Sequence, residues 1–176
     1  MPTAVESGRG SHQGGSVDLY IKMTGAKQGW IKGESFDAGH KDEILVQSYN
    51  WGVKNAIDPT TGQPTGKRQH SVLKFVMHTQ SATPLILRAA CTNETLSSVV
   101  LTCRKAGGKQ QEYMKWTLTN ARACEVKTGY LVPGDIIPYD EVSLAFLKIE
   151  LDYKPQKQDG TLGSSIMFMD DWAMSV

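Results

Sequence analysis

The chain is poor in the features that most often betray a function. It has three cysteines in 176 residues, Cys91, Cys103 and Cys124. An odd number without CxxC spacing argues against a disulfide framework and against a zinc ribbon. Cys103 falls in the apolar phase of a strand and reads as a buried free thiol in a reducing compartment. An excess of one charge is missing too: Lys and Arg total 19 against 18 Asp and Glu, a net of +1. Nothing electrostatic draws such a chain to nucleic acid or to an anionic membrane. No apolar run approaches the roughly 20 residues that span a bilayer, so membrane insertion is not expected. The opening MPTAVESGRGSHQGGS lacks the apolar stretch of a secretory signal. The chain is expected to be made in a cytoplasm and to leave it, if it does, without a cleaved signal. Catalytic signatures are equally scarce. No serine sits in a GxSxG elbow, residues 62–67 (GQPTGK) lack phosphate-loop spacing, and His12, His40, His70 and His78 form no i,i+4 pair on a helix.

What is present is alternation. Residues 1–16 are polar and rich in Gly and Ser, and are expected to be a flexible leader. Residues 17–176 are enough for one domain with a sizeable core. Val17, Leu19, Ile21 and Met23 share one face of a strand, with Asp18, Tyr20 and Lys22 on the other. Residues 43–53 form a second strand, apolar on both faces, with a bend at Trp51-Gly52. Residues 55–67 (NAIDPTTGQPTGK) are too polar for core and form a long loop of the kind that is usually functional or disordered. Residues 69–78 return as a strand. Residues 81–84 (SATP) signal a helix start, with Thr83 capping and Pro84 at the first helical position; Asn93 stops the helix. Strands over 96–105 and 112–126 flank a Gly107-Gly108 hairpin turn. Residues 142–153 alternate with apolar residues on both faces, and 166–172 make a short last strand. About seven strands and one helix read as a mainly β barrel or sandwich. Apolar residues on both strand faces need a second cover, either the helix or a neighbouring subunit.

One stretch imitates a chemical site. Glu34, Asp37, His40, Asp42 and Glu43 fall within ten residues, in the link joining the first two strands. Carboxylates beside an imidazole suit a metal ion or general acid/base work. The spacing matches no ligand signature such as HExxH or an EF-hand loop. The alternative is a loop, bracketed by Gly33 and Gly39, whose Glu34, Ser35 and Asp37 side chains satisfy local backbone N–H groups. No catalytic residue, cofactor or metal ligand is assigned.

Several blocks resemble one family. DLYIK (18–22), KGES-x-D-x-x-H-x-x-E (32–43), SYNWGV (48–53), HTQSATPLILRAAC (78–91), RKAGGKQQEYMKWTL (104–118) and EVSLAFLKIELDYKPQKQDGTLG (141–163) are similar, in order, to Hcp. These are the haemolysin-coregulated tail-tube proteins of bacterial type VI secretion. The resemblance implies a β-barrel of two antiparallel sheets with one flanking α-helix, and a structural, non-enzymatic role. It implies hexameric rings that stack into a secreted tube inside a contractile sheath, with a VgrG-type spike at the tip and small effector proteins carried in the lumen. Some family members add a C-terminal toxin domain; none is expected in a chain ending at Val176. The loop containing Asn55, Asp58, Gln63, Gly66 and Lys67 corresponds to the inter-ring stacking arm. Residues 1–15 and the apolar loop 129–139 depart from the family pattern. Two rival readings stay open. One is a metal-dependent hydrolase built on Glu34, Asp37, His40 and Glu43; the other is a monomeric β-barrel that binds a small ligand.

Overall fold

The computed structural model describes residues 17–105, 110–130, 133–134 and 136–172. The expected leader 1–16 and the Gly107-Gly108 turn lie outside these residues, as do residues 131, 132 and 135 of the 129–139 loop. Among the described residues there are twelve strands and one helix. In chain order these are β1 (Val17–Gly25), β2 (Gly29–Ile31), β3 (Ile44–Val46), β4 (Ser48–Asn50), β5 (Val53–Lys54), β6 (Gln69–His70) and β7 (Leu73–His78). After α1 (Ala82–Cys91) come β8 (Leu96–Lys105), β9 (Gln111–Gly129), β10 (Tyr139–Ala145), β11 (Lys148–Tyr153) and β12 (Ile166–Asp171).

All pairings are antiparallel, and two sheets share long strands. β9 carries β8 on one edge; on the other it carries β11 against its first half and β10 against its second. β10 also pairs with β7, and β7 with β4. β1 pairs with β8 and with β3. Only Gln47 separates β3 from β4, and its N–H donates to Val76 O at 2.7 Å. The hydrogen-bonded path β1-β8-β9-β10-β7 therefore returns to β1 through residues 44–50. This is the expected barrel-type fold of antiparallel sheets with a single flanking helix, in which residues 44–50, rather than a ladder between end strands, join the two ends of the path. β12 lies outside this circuit as an edge strand paired with β11.

The core fills from both sheets. Ile21, Met23, Val99, Leu101 and Leu118 meet Phe75, Met77, Val142 and Leu144, all at most 1% exposed. Burying each large side chain contributes about 1.5–3 kcal/mol. The helix lays Ala82, Ile86 and Ala89 against the barrel. It starts earlier than the sequence suggests: Ser81 is the N-cap but its side chain makes no capping bond, and Pro84 is the third helical residue. That place still suits proline, because the first-turn N–H groups have no partner within the helix. Thr83 turns inward instead; its Oγ1 accepts from Gln80 N at 3.0 Å and donates to buried Asp140. Asn93 does end the helix, in the left-handed region at φ 51°.

The two-sided apolar strands have a local cause. In residues 142–153 the buried phase runs through Val142, Leu144 and Phe146, then switches to Ile149. Register shifts at Ser143/Leu144, and residues 146–147 interrupt the strand. A one-residue irregularity flips every following side chain to the other face. Residues 44–50 do the same at Gln47, from Ile44 and Val46 to the half-buried Tyr49. The change of phase brings Ile149 and Tyr49 to the same core, whereas Leu45 and Leu147 on the other face stay 41% and 50% exposed.

Candidate functional site

The acidic link doubles back on itself over the outer face of β1 and β8. Gly33 N donates to Asp42 O at 2.8 Å, Asp42 N to Ser35 O at 2.9 Å, and Ser35 N to Glu43 O at 3.1 Å. Gly33 is needed for close approach: a Cβ there would lie 2.5 Å from Glu43 O and 2.6 Å from Ile44 Cα. Glu34, Asp37, His40, Asp42 and Glu43 each have a protein partner. Glu34 Oε1 accepts from Ser81 N at 2.8 Å, tying the link to the start of α1. Asp37 accepts from Gly39 N at 2.9 Å and from Arg104 Nη2 at 2.8 Å. Asp42 pairs with Lys32 at 3.2 Å. His40 is buried, stacks on Tyr20 at 4.2 Å, and bridges Glu43 (2.8 Å) and Glu112 (3.2 Å) through its two ring nitrogens. Both nitrogens of the imidazole are thereby occupied, as a metal ligand's would not be.

Arg104 is the centre of this region. Its Nη2 also donates to Asp18 Oδ2 at 3.0 Å and Tyr20 Oη at 2.7 Å, and its guanidinium lies 5.0 Å from the Tyr20 ring. The hydrogen bond to Asp37 leads in raising the Arg104 pKa, and the same bond holds the Asp37 carboxyl below its usual range. Glu94, buried beside the β1–β2 turn, accepts from Lys27 N at 2.7 Å and Gln28 N at 2.8 Å. Burial pushes its carboxyl up, but those bonds outweigh burial and hold it low. Burial lifts the Cys103 thiol to about 11, which makes it a poor nucleophile, as its place in the strand suggested.

Residues 55–67 are more ordered than a loop. They continue the β5–β6 ribbon as an exposed arm, with an Ile57–Pro64 bridge across it. Thr65 N donates to Ala56 O at 2.8 Å and Asp58 N to Gln63 O at 2.9 Å. Asp58 Oδ1 accepts from Thr60 N and Thr61 N at 2.7 and 3.1 Å, which keeps its carboxyl below the ordinary range. Gly62 sits at φ 70°, where a side chain would be strained. Asn55, Asp58, Gln63, Gly66 and Lys67 thus all belong to one protruding element.

The most conspicuous surface lies on β12, whose accessibility sequence reasoning did not foresee. Ile166, Met167, Phe168 and Met169 are 62%, 70%, 42% and 58% exposed. Four consecutive exposed apolar residues occupy both faces of an edge strand. The available signal was the unalternating run IMFM followed by Asp-Asp. Such an edge is a ready surface for another chain.

Comparison with known proteins decides the family. The model described as "Type VI secretion system effector, Hcp" matches residues 20–153. The chain belongs to the Hcp family. It is 30% identical to the major exported protein of Pseudomonas aeruginosa strain PAO1, covering 92% of this chain and 98% of that one. Protein hcp1 of the same strain is 34% identical over 82% of this chain and 88% of its own length. A solved type six secretion system protein superimposes with a TM-score of 0.81 at 24% identity, covering 92% of this chain and 99% of the other. That likeness supports the fold.

Proposed function

We propose that this Hcp-family chain is a structural tube subunit that closes into rings through β12. The observation carrying this reading is the exposed apolar run Ile166–Met169 on an edge strand. Burial of such a run in a neighbouring copy removes it from water and uses the unpaired backbone of the edge. A ring follows when one such interface repeats by rotation; its number, six, rests on the family likeness. Rings stack through the arm, with Asn55, Asp58, Gln63, Gly66 and Lys67 reaching the next ring. Small effector proteins ride in the lumen, a VgrG-type spike caps the tube, and a contractile sheath surrounds it. The subunit is made in the bacterial cytoplasm and exported without a cleaved signal; one relative's name, the major exported protein, supports export. The role is assembly, and the link residues serve the fold rather than a reaction.

Solution mass and negative-stain microscopy of the pure protein test this reading. Annular particles of several subunits are expected, and Met167→Lys with Met169→Lys should reduce them to single subunits that keep their β-sheet circular dichroism. A wild-type chain that stays single at high concentration overturns it.

A further inference from the structure

The arm and the apolar edge strand meet at one carboxylate. Asp170, the last residue but one of β12, directly follows Met169, and its side chain is 14% exposed. Arg68, at the base of the arm, donates to it through both Nε (2.5 Å to Oδ2) and Nη2, in a forked pair. His70 of β6 places Nε2 2.7 Å from the same Oδ2. These partners lie 102 and 100 residues away along the chain. The His70 side chain is 2% exposed. Its ring stacks on Trp51 at 5.5 Å and takes edge contacts with Trp172 at 4.8 Å and Phe146 at 6.1 Å.

The arm needs such an anchor. β5 and β6 are two residues each, and a short two-stranded ribbon is marginal in water by itself. At the base its two strands are tied to each other by Ser71 N to Gly52 O and Gly52 N to Ser71 Oγ, both 2.9 Å. Bonds between the two strands do not by themselves set the ribbon's direction relative to β12. A forked guanidinium–carboxylate pair fixes direction as well as distance. Arg68 also holds the Asp170 carboxyl below its ordinary range, so the pair stays charged at neutral pH.

We propose that Asp170 is a positioning residue that sets the direction of the stacking arm from β12, so that seating a neighbour on β12 and aiming the arm are one event. This deepens the tube reading and rests on it for what the arm contacts. Met167 and Met169 present the seam, and the residue that follows them grips the arm. A second copy bound to β12 therefore stiffens the arm's base, and ring closure favours stacking without direct contact between the two surfaces.

The test uses Asp170→Asn and, as a milder variant, Arg68→Lys, which keeps the charge but loses the fork. Hydrogen exchange is followed at the Lys54, Thr65 and Ser71 amides, beside ring and tube counts by microscopy. In both variants arm-base exchange should rise about tenfold while β8 and β9 keep their protection. Rings should persist and tubes should shorten. The swap Arg68→Asp with Asp170→Arg should recover part of the protection. Unchanged arm exchange in both variants overturns the proposal, as does a loss of protection spread evenly over the whole barrel. If the wild type forms neither rings nor tubes, the tube reading fails, whereas arm exchange still decides whether Asp170 holds the arm.

Discussion

The acidic link and the arm are both polar segments of about a dozen residues, yet they are used in opposite ways. The link turns His40, Asp37 and Glu43 toward partners in the fold. His40 and Arg104 are 5% exposed, and the carboxylates about them are held by a backbone N–H, the His40 ring or the guanidinium. The arm satisfies its own backbone and leaves its side chains outside. A cluster of chemical groups is thus partnered within the fold, and a bland Pro- and Thr-rich stretch is the one that stands exposed. Density of reactive residue types is a poor guide to function where every group already has a partner; accessibility is the better one.

The contrast can be broken by substitution. The largest effect should come from Arg104→Met, which leaves Asp18 and Asp37 facing each other without their cation. A loss on the order of 3 kcal/mol is expected. At constant protein concentration that lowers the thermal midpoint by about 6–12 °C. His40→Ala removes the stack on Tyr20 and both carboxylate bonds, and should cost about 2 kcal/mol in a denaturant titration. Acidification should act next. Asp37, Glu94 and Asp170 have folded pKa values below their unfolded ones, so their stabilisation is complete above the unfolded carboxylate range and disappears as pH falls through the lower folded values. The midpoint should therefore hold from neutrality to about pH 5 and drop below about pH 4. The smallest effect belongs to the arm: Asn55→Ala with Gln63→Ala should move the midpoint by no more than about 2 °C while shortening tubes seen by microscopy. An arm variant that destabilises the barrel as much as Arg104→Met removes the distinction between the two segments.

The barrel was legible where strands keep one phase. β1 shows Leu19, Ile21 and Met23 on the inward face with no interruption, and the helix announced its end at Asn93. Legibility failed where one residue breaks the phase. Gln47 and the interruption at residues 146–147 shift the phase, so that part of what looks like a second apolar face, Tyr49 and Ile149, belongs to the core, while Leu45 and Leu147 stay exposed. The link was half legible. Asp37 bonding to Gly39 is a local turn that its spacing suggests, whereas Glu34 reaches Ser81 across 47 residues and Arg104 reaches Asp37 across 67. Nothing in spacing encodes such partners; the sheet register brings them together. Asp170 was invisible for the same reason.

β9 has a consequence for how this protein comes into being. Its 19 residues belong to both sheets, so neither can be completed before it exists. A polypeptide still being translated must carry residues 17–105 unsettled until the strand at 111–129 and its partner at 139–153 leave the ribosome, because distant pairing repays chain closure only at the end. Stalled chains released at residue 105 should be digested by protease, and those released past residue 153 should resist it. Maturation is thus postponed until residue 153 has left the ribosome, and up to that moment helper proteins have the unfinished subunit to themselves.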